Sequence, residues 1–161
     1  MINESKFWKE ELNKLSQKLL FRIIHKKWSQ RSVFNLEKEL FLGFFTVRKL
    51  IESKQVPKEL TNKEYELAFF AKKKLTKDEI DKMLPYDSNA VSKKRVTIRI
   101  ICNQFIHSYH ILPFGADGKL LGIFINSDFQ SKSGIYLILL FDIVEIFRLC
   151  ADKNGIVDSI R

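Results

Sequence analysis

The chain contains none of the short motifs that usually announce chemistry. No GxxxxGK(S/T) loop, GxGxxG turn, HExxH helix or GxSxG elbow occurs in it. That removes the sequence grounds for a P-loop NTPase, a dinucleotide-binding unit, a zincin or an α/β-hydrolase. Cysteine is scarce. Cys102 and Cys150 both lie in apolar surroundings and read as buried free thiols, and two are too few for a disulfide scaffold. The three histidines, His25, His107 and His110, lack the cysteine companions of a structural zinc site. His107 and His110 could meet a metal only if Asp117 or Asp128 folded back onto them, so neither a metal nor a cofactor is expected. Three prolines and six glycines exclude a collagen-like chain, and a hydrophobic fraction of 45% excludes a disordered one. Long apolar runs are missing too. The longest, Ile135 to Phe141, is too short to span a bilayer, and Met1 to Glu11 is charged with no apolar signal core. No membrane partner is expected, and a cytoplasmic location is.

What the chain does have is aromatic bulk and one-sided charge. Fourteen phenylalanines bring large apolar areas to a core. The formal net charge is +9, and all of it lies in the first part of the chain. Residues 1–95 hold 22 Lys/Arg against 13 Asp/Glu, whereas residues 96–161 hold six of each. The local maxima are Lys72-Lys73-Lys74 and Lys93-Lys94-Arg95. A field of this kind attracts RNA or another acidic macromolecule.

Periodicity supplies the architecture. Trp8, Leu12, Leu15, Leu19 and Ile23 recur at steps of three and four, which predicts a helix from about Ser5 to Trp28. After a break at Ser29-Gln30-Arg31, Ser32 is the expected N-cap of a second helix running to about Ser53, with Leu40, Phe44, Val47 and Ile51 as its stripe. Residues 61–75 carry two signals. Thr61 with Glu64 suggests a capped helix, which is the preferred reading, and alternating Tyr65, Leu67 and Phe69 suggest a strand. Thr76 with Glu79 opens a short helix that Pro85 stops, and Tyr86 to Ser92 reads as a loop. A helix from about Ser92 to Ser108 follows, against the β-branched residues of Val96 to Ile101, which favour a strand there. Asp117-Gly118 between apolar runs marks a hairpin of strands His110–Phe114 and Lys119–Ile125. A third strand runs from Ile135 to about Leu140, and Asp142 caps a terminal helix. The expectation is a single α+β domain over residues 1–161. Its helical part, 1–108, packs on a small antiparallel three-stranded sheet with a C-terminal helix in 109–161.

On the 92–108 helix, Arg95, Arg99, Asn103 and His107 recur by fours and would form one polar stripe. Two guanidinium groups can hold a phosphate, and an imidazole beside them can move a proton. If the chain is an enzyme, His107, Arg99 and Asn103 are its candidate catalytic residues, acting without metal on an RNA phosphate. Over residues 92–108 the chain resembles the all-helical HEPN ribonucleases, which pair an arginine with a histidine near a helix end. It departs from their motif in a longer spacing between Arg99 and His107, in having Ile100 after the arginine, and in its C-terminal strands. The bland reading of His107 is a helix-terminal one, in which the imidazole favours the dipole. The rings of Tyr109, Phe114, Phe124, Phe129 and Tyr136 raise the idea of bases stacking on a sheet, but that sheet is the neutral part of the chain. Phe129, flanked by Asp128 and Gln130, is the ring expected at the surface.

The leading expectation is therefore a small basic nucleic-acid-associated module that binds RNA rather than reading duplex DNA. Arg95, Arg99, Lys93, Lys94, Lys72, Lys73 and Lys74 are its candidate contacts. A protein-interaction adaptor or an inhibitor of an acidic partner is the alternative, marked by an exposed Phe-rich patch with a polar rim. A metal-independent ribonuclease is the third reading. A homodimer is compatible with all three.

Overall fold

The computed structural model describes residues 4–24, 27–72 and 86–152. It is an α+β fold, but its sheet has five antiparallel strands rather than three. Helix α1 (Ser5–Ile23) and helix α2 (Gln30–Glu52) open the chain, followed by a single turn, α3 (Lys58–Thr61). Strand β1 (Glu64–Lys72) pairs with strand β2 (Tyr86–Thr97), which runs directly into helix α4 (Ile98–Ile106). Strands β3 (Ser108–Ala116) and β4 (Lys119–Ser127) form the expected hairpin. A 3-10 turn at Gln130–Lys132 leads to strand β5 (Gly134–Leu139), which runs directly into helix α5 (Leu140–Ala151). The strand order is β2-β1-β5-β4-β3.

The two extra strands lie where helices and a loop are expected from the sequence. In β1 the alternation of Tyr65, Leu67 and Phe69 prevails, and all three are buried. Thr61 does not cap a helix there; its hydroxyl donates to the Pro57 carbonyl within α3. In β2 the β-branched residues prevail as far as Thr97, and the helix starts six residues later than the expected Ser92. The earlier helices hold with small shifts. Ser29, not Ser32, caps α2, its hydroxyl accepting the Ser32 N–H at 3.2 Å. The expected helix from Thr76 lies outside the described residues, as do His25, Lys73 and Lys74. At the hairpin, Asp117 (φ 52°) and Gly118 (φ 73°) are both left-handed, the conformation a tight two-residue turn requires.

Alternation along β1 separates the two faces of the sheet. Tyr65, Leu67 and Phe69 join Ile123, Ile125, Tyr136 and Ile138 in the core, together with buried residues from α1, α2, α4 and α5. Phe44 of α2 stacks on Phe105 of α4, with centroids 4.1 Å apart, and meets Phe147 of α5 edge-on at 5.0 Å. Gly43 makes that approach possible, because a Cβ at this position would overlap the Phe147 ring. Buried amides close the far end of the sheet. The Asn126 side chain accepts the His110 N–H and donates to the Gly134 carbonyl, while Gln104 of α4 accepts the Ser127 N–H. No described helix is long and apolar enough to cross a membrane.

In an exposed helix, replacing glycine by alanine stabilises by about 1 kcal/mol. For Gly43→Ala we expect the reverse, a loss of about 1–3 kcal/mol from overpacking against Phe147, read from the urea midpoint. A midpoint at or above that of the unaltered protein would show that α2 and α5 do not pack this closely.

Candidate nucleic-acid interface

The residues of the expected stripe fall on two different elements. Thr97 is the boundary. Before it, cross-strand partners share a face, so Lys93 and Arg95 lie with Ala68 and Glu66 on the side of the sheet away from the core. Lys94 lies on the core side, opposite Leu67, with its ammonium 3.4 Å from the centroid of the Phe69 ring. Lys93 and Glu66 form an exposed ion pair at 2.8 Å, and the Lys93 hydrogen bond draws the Glu66 carboxyl below its usual range. Arg95 is exposed and has no ion pair among the described residues. Lys72 ends β1, also exposed, with its backbone N–H donating to Ser133.

After Thr97, Arg99 stands exposed in the first turn of α4. Together with Arg48 of α2, Ile51, Cys102 and Asn103 it lines a cleft of about 80 Å³. Arg48 donates to the Asn103 carboxamide oxygen at 2.6 Å and to Glu52 at 2.9 Å. Arg99 has no such partner among the described residues. Arg48 is therefore a site residue that sequence reasoning missed, and nothing local in α2 points to it. Its partner Asn103 is brought by the packing of α4 on α2.

His107 lies elsewhere. It is the C-cap of α4, its N–H donating to the Asn103 carbonyl and its own carbonyl accepting the Asp128 N–H, both at 3.1 Å. The imidazole is exposed and makes no hydrogen bond among the described residues. Eight residues of helix put His107 and Arg99 about 12 Å apart along the axis. The Asn103 oxygen that could have oriented the imidazole is occupied by Arg48. His107, Arg99 and Asn103 are thus not gathered around one point. The helical-bundle setting of the HEPN resemblance is also missing, since Arg95 sits in a five-stranded sheet.

The rings proposed as a stacking platform divide. Tyr136 is buried on the core side, and burial pushes its phenol pKa up, holding it neutral. Phe114 and Phe124 are half-buried on the outer side, while Tyr109 and Phe129 are 62% and 85% exposed. Both cysteines are buried free thiols. Burial pushes the Cys150 thiol up to about 12 and raises Cys102 as well, which leaves both inert at neutral pH. Among the described residues no three His, Cys, Asp or Glu side chains gather to hold a metal ion.

One perturbed group lies apart from the cations. Asp142 in the first turn of α5 is half-buried near Lys63 and Glu145, which pair at 2.8 Å. Burial, followed by the Glu145 charge, holds its carboxyl above the usual range, and Lys63 opposes them. The neighbouring Tyr65 hydroxyl is buried with no hydrogen-bond partner among the described residues, and burial pushes its pKa strongly up, so that it stays protonated. Because the folded chain holds the Asp142 proton more tightly than the unfolded chain, this group lowers stability as pH rises through the usual carboxylate range to its folded value. Asp142→Asn should melt higher than the unaltered protein at neutral pH, with the gain vanishing below that range. A lower melting temperature at neutral pH would mean that the carboxylate is stabilising there.

No family model matches this chain, and neither does any curated protein or solved structure.

Proposed function

We propose that the chain is a small nucleic-acid-binding module and that its contact surface is the β2–α4 edge. The observation that carries this reading is that Arg95 and Arg99, on either side of Thr97, are exposed and without ion pairs among the described residues. Lys93 and Lys94 flank them, and the Arg48–Asn103 cleft adjoins Arg99. Elsewhere on the described surface many cations are neutralised, as in Lys14–Glu11, Arg22–Glu39 and Lys63–Glu145. Guanidinium groups left free suit phosphate oxygens, which they can contact through two parallel hydrogen bonds.

RNA, or single-stranded nucleic acid more generally, fits this surface better than duplex DNA. The helix that carries Arg99 is only nine residues long, and its Ile98, Ile101, Cys102 and Phe105 are buried against the rest of the fold. It is not free to enter a major groove. Binding also fits better than cleavage, because His107 lies at the opposite end of α4 from Arg99 and outside the cleft.

The test is fluorescence polarisation with single-stranded RNA, duplex DNA and heparin across a salt series. Each phosphate contact on a single strand contributes about 0.7 to the slope of log K against log salt. The R95A/R99A double variant should bind RNA more weakly and lose about 1.4 from that slope. H107A should bind unchanged and leave the RNA intact on a gel. Equal binding by R95A/R99A and the unaltered protein, or no preference for RNA over heparin, would contradict the proposal.

A further inference from the structure

We propose that the cleft between α2 and α4 binds a phosphomonoester group, and that its ligand is the phosphorylated end of an RNA strand. The choice of ligand rests on the nucleic-acid reading, whereas the anion site rests on its own lining. Arg48, Ile51, Arg99, Cys102 and Asn103 form that lining, and its polar groups offer hydrogen-bond donors. The Asn103 carboxamide oxygen accepts from Arg48 Nη1 at 2.6 Å, which leaves the Asn103 amide as an NH2 donor for a ligand. Glu52 accepts from Arg48 Nε at 2.9 Å. Arg48 is thus held from two sides, and its Nη2 carries no hydrogen bond among the described residues. Arg99 brings a second guanidinium, with no partner among the described residues. Burial raises the Cys102 thiol, and Arg48 and Arg99 both oppose it, so the two charges converge on one side chain.

Charge and size narrow the ligand. Arg48 and Lys49 share one carboxylate, Glu52, so together with Arg99 the cleft keeps a positive excess. The first turn of α4 holds no acidic residue, and Thr97 makes no capping hydrogen bond, so the positive end of the helix dipole adds to the guanidinium charge. A space of about 80 Å³ is far below the roughly 300 Å³ at which pockets for whole small molecules begin. It equals the liquid volume of about three water molecules, the scale of a phosphate group and not of a base or nucleoside. A phosphodiester inside a strand carries one charge and an ester substituent on each side. A terminal phosphomonoester carries about two charges with three free acceptor oxygens, and it enters end-on. That group matches two guanidiniums and an amide.

The position suits a strand end. A strand laid along β2 meets Lys93 and Arg95 and then, past Thr97, Arg99. The cleft beside Arg99 is floored by Ile51 and Cys102, which are 5% and 0% exposed, so a strand that enters it ends there. The connection between β1 and β2 leaves the sheet at the Lys72–Tyr86 pair. Along β1 that pair lies about 26 Å from the Glu64–Thr97 pair, at the opposite end of the strand from the cleft.

Internally labelled RNA strands of one sequence, ending in a 5′-phosphate, a 3′-phosphate or hydroxyls alone, test it by fluorescence polarisation. A phosphorylated end should bind about tenfold tighter than the hydroxyl-ended strand, the gain that one added charge-assisted hydrogen bond gives. Which strand shows the gain identifies the end. Inorganic phosphate should remove it, and chloride at equal ionic strength should not. Asn103→Asp keeps an oxygen for Arg48 but turns the free amide into a carboxylate. It should melt no lower than the unaltered protein and lose the preference for a phosphorylated end. Arg48→Lys keeps the charge without the planar fork and should also reduce that preference. Equal binding of all three strands, still dependent on Arg95 and Arg99, would overturn the phosphate site and leave the nucleic-acid reading standing. So would a preference that persists in folded Asn103→Asp. No RNA binding, with inorganic phosphate still shifting the Asn103 side-chain amide resonances, would keep the anion site and overturn both the nucleic-acid reading and the RNA end as ligand. Neither RNA binding nor a phosphate shift would overturn everything proposed for this cleft.

Discussion

One ring joins the helical layer to the sheet. Phe44 lies between Phe105 of α4 and Phe147 of α5, and these are the two helices that follow directly from strands. With no loop between β2 and α4 or between β5 and α5, each helix has little freedom except to fold back over the inner face. Phe44 then fixes the distance at which α2 covers them both. The bare backbone of Gly43 is what lets α5 come close enough. The Arg48–Asn103 contact is the polar consequence of the same packing, since Arg48 lies one turn beyond Phe44 on α2, and Asn103 lies just before Phe105 on α4.

The switch at Thr97 distributes the charge. Had residues 92–108 been one helix, Arg95, Arg99, Asn103 and His107 would share a stripe. As a strand followed by a helix, the same residues send Lys93 and Arg95 to the outer side of the sheet and Lys94 to the Phe69 ring. Arg99 is left beside Arg48. The positive part of the chain thus reaches the sheet itself, along its β2 edge, rather than lying only on helices. Strands β5, β4 and β3, towards the other margin, carry one charged Lys, Arg, Asp or Glu side chain between them, Lys119.

Much of this was readable from residue patterns, and the rest failed for identifiable reasons. The stripes of α1 and α2, the Asp117-Gly118 hairpin, β5 and α5 are local signals, and all are present. In β1 the local signals competed. Tyr65, Leu67 and Phe69 alternated correctly, but a Thr61–Glu64 pair resembled a helix cap that the fold does not use. In β2 the i, i+4 spacing of polar residues points to a helix and the β-branched run to a strand, and pairing with β1 makes the strand the better place for Val96 and Thr97. These two strands raise the sheet from the expected three strands to five. The exposure of Phe129 was legible from its polar neighbours. Arg48 was not, because its partner is 55 residues away. Nor was the apolar outer side of β5, since β5 reads as a buried strand in sequence and only strand order reveals which of its faces the described helices cover.

The positions of Arg95, Lys94 and Arg99 all follow from the strand-to-helix change at Thr97. Backbone chemical shifts of the labelled protein over residues 89–107 test it most directly. Strand-type Cα and Cβ shifts through Thr97, helical shifts from Ile98 to Ile106, and a cross-strand contact between Lys94 and Leu67 are the expected result. Helical shifts beginning at Ser92, with no contact to β1, would return the four polar residues to a single stripe and contradict the arrangement of charge described above.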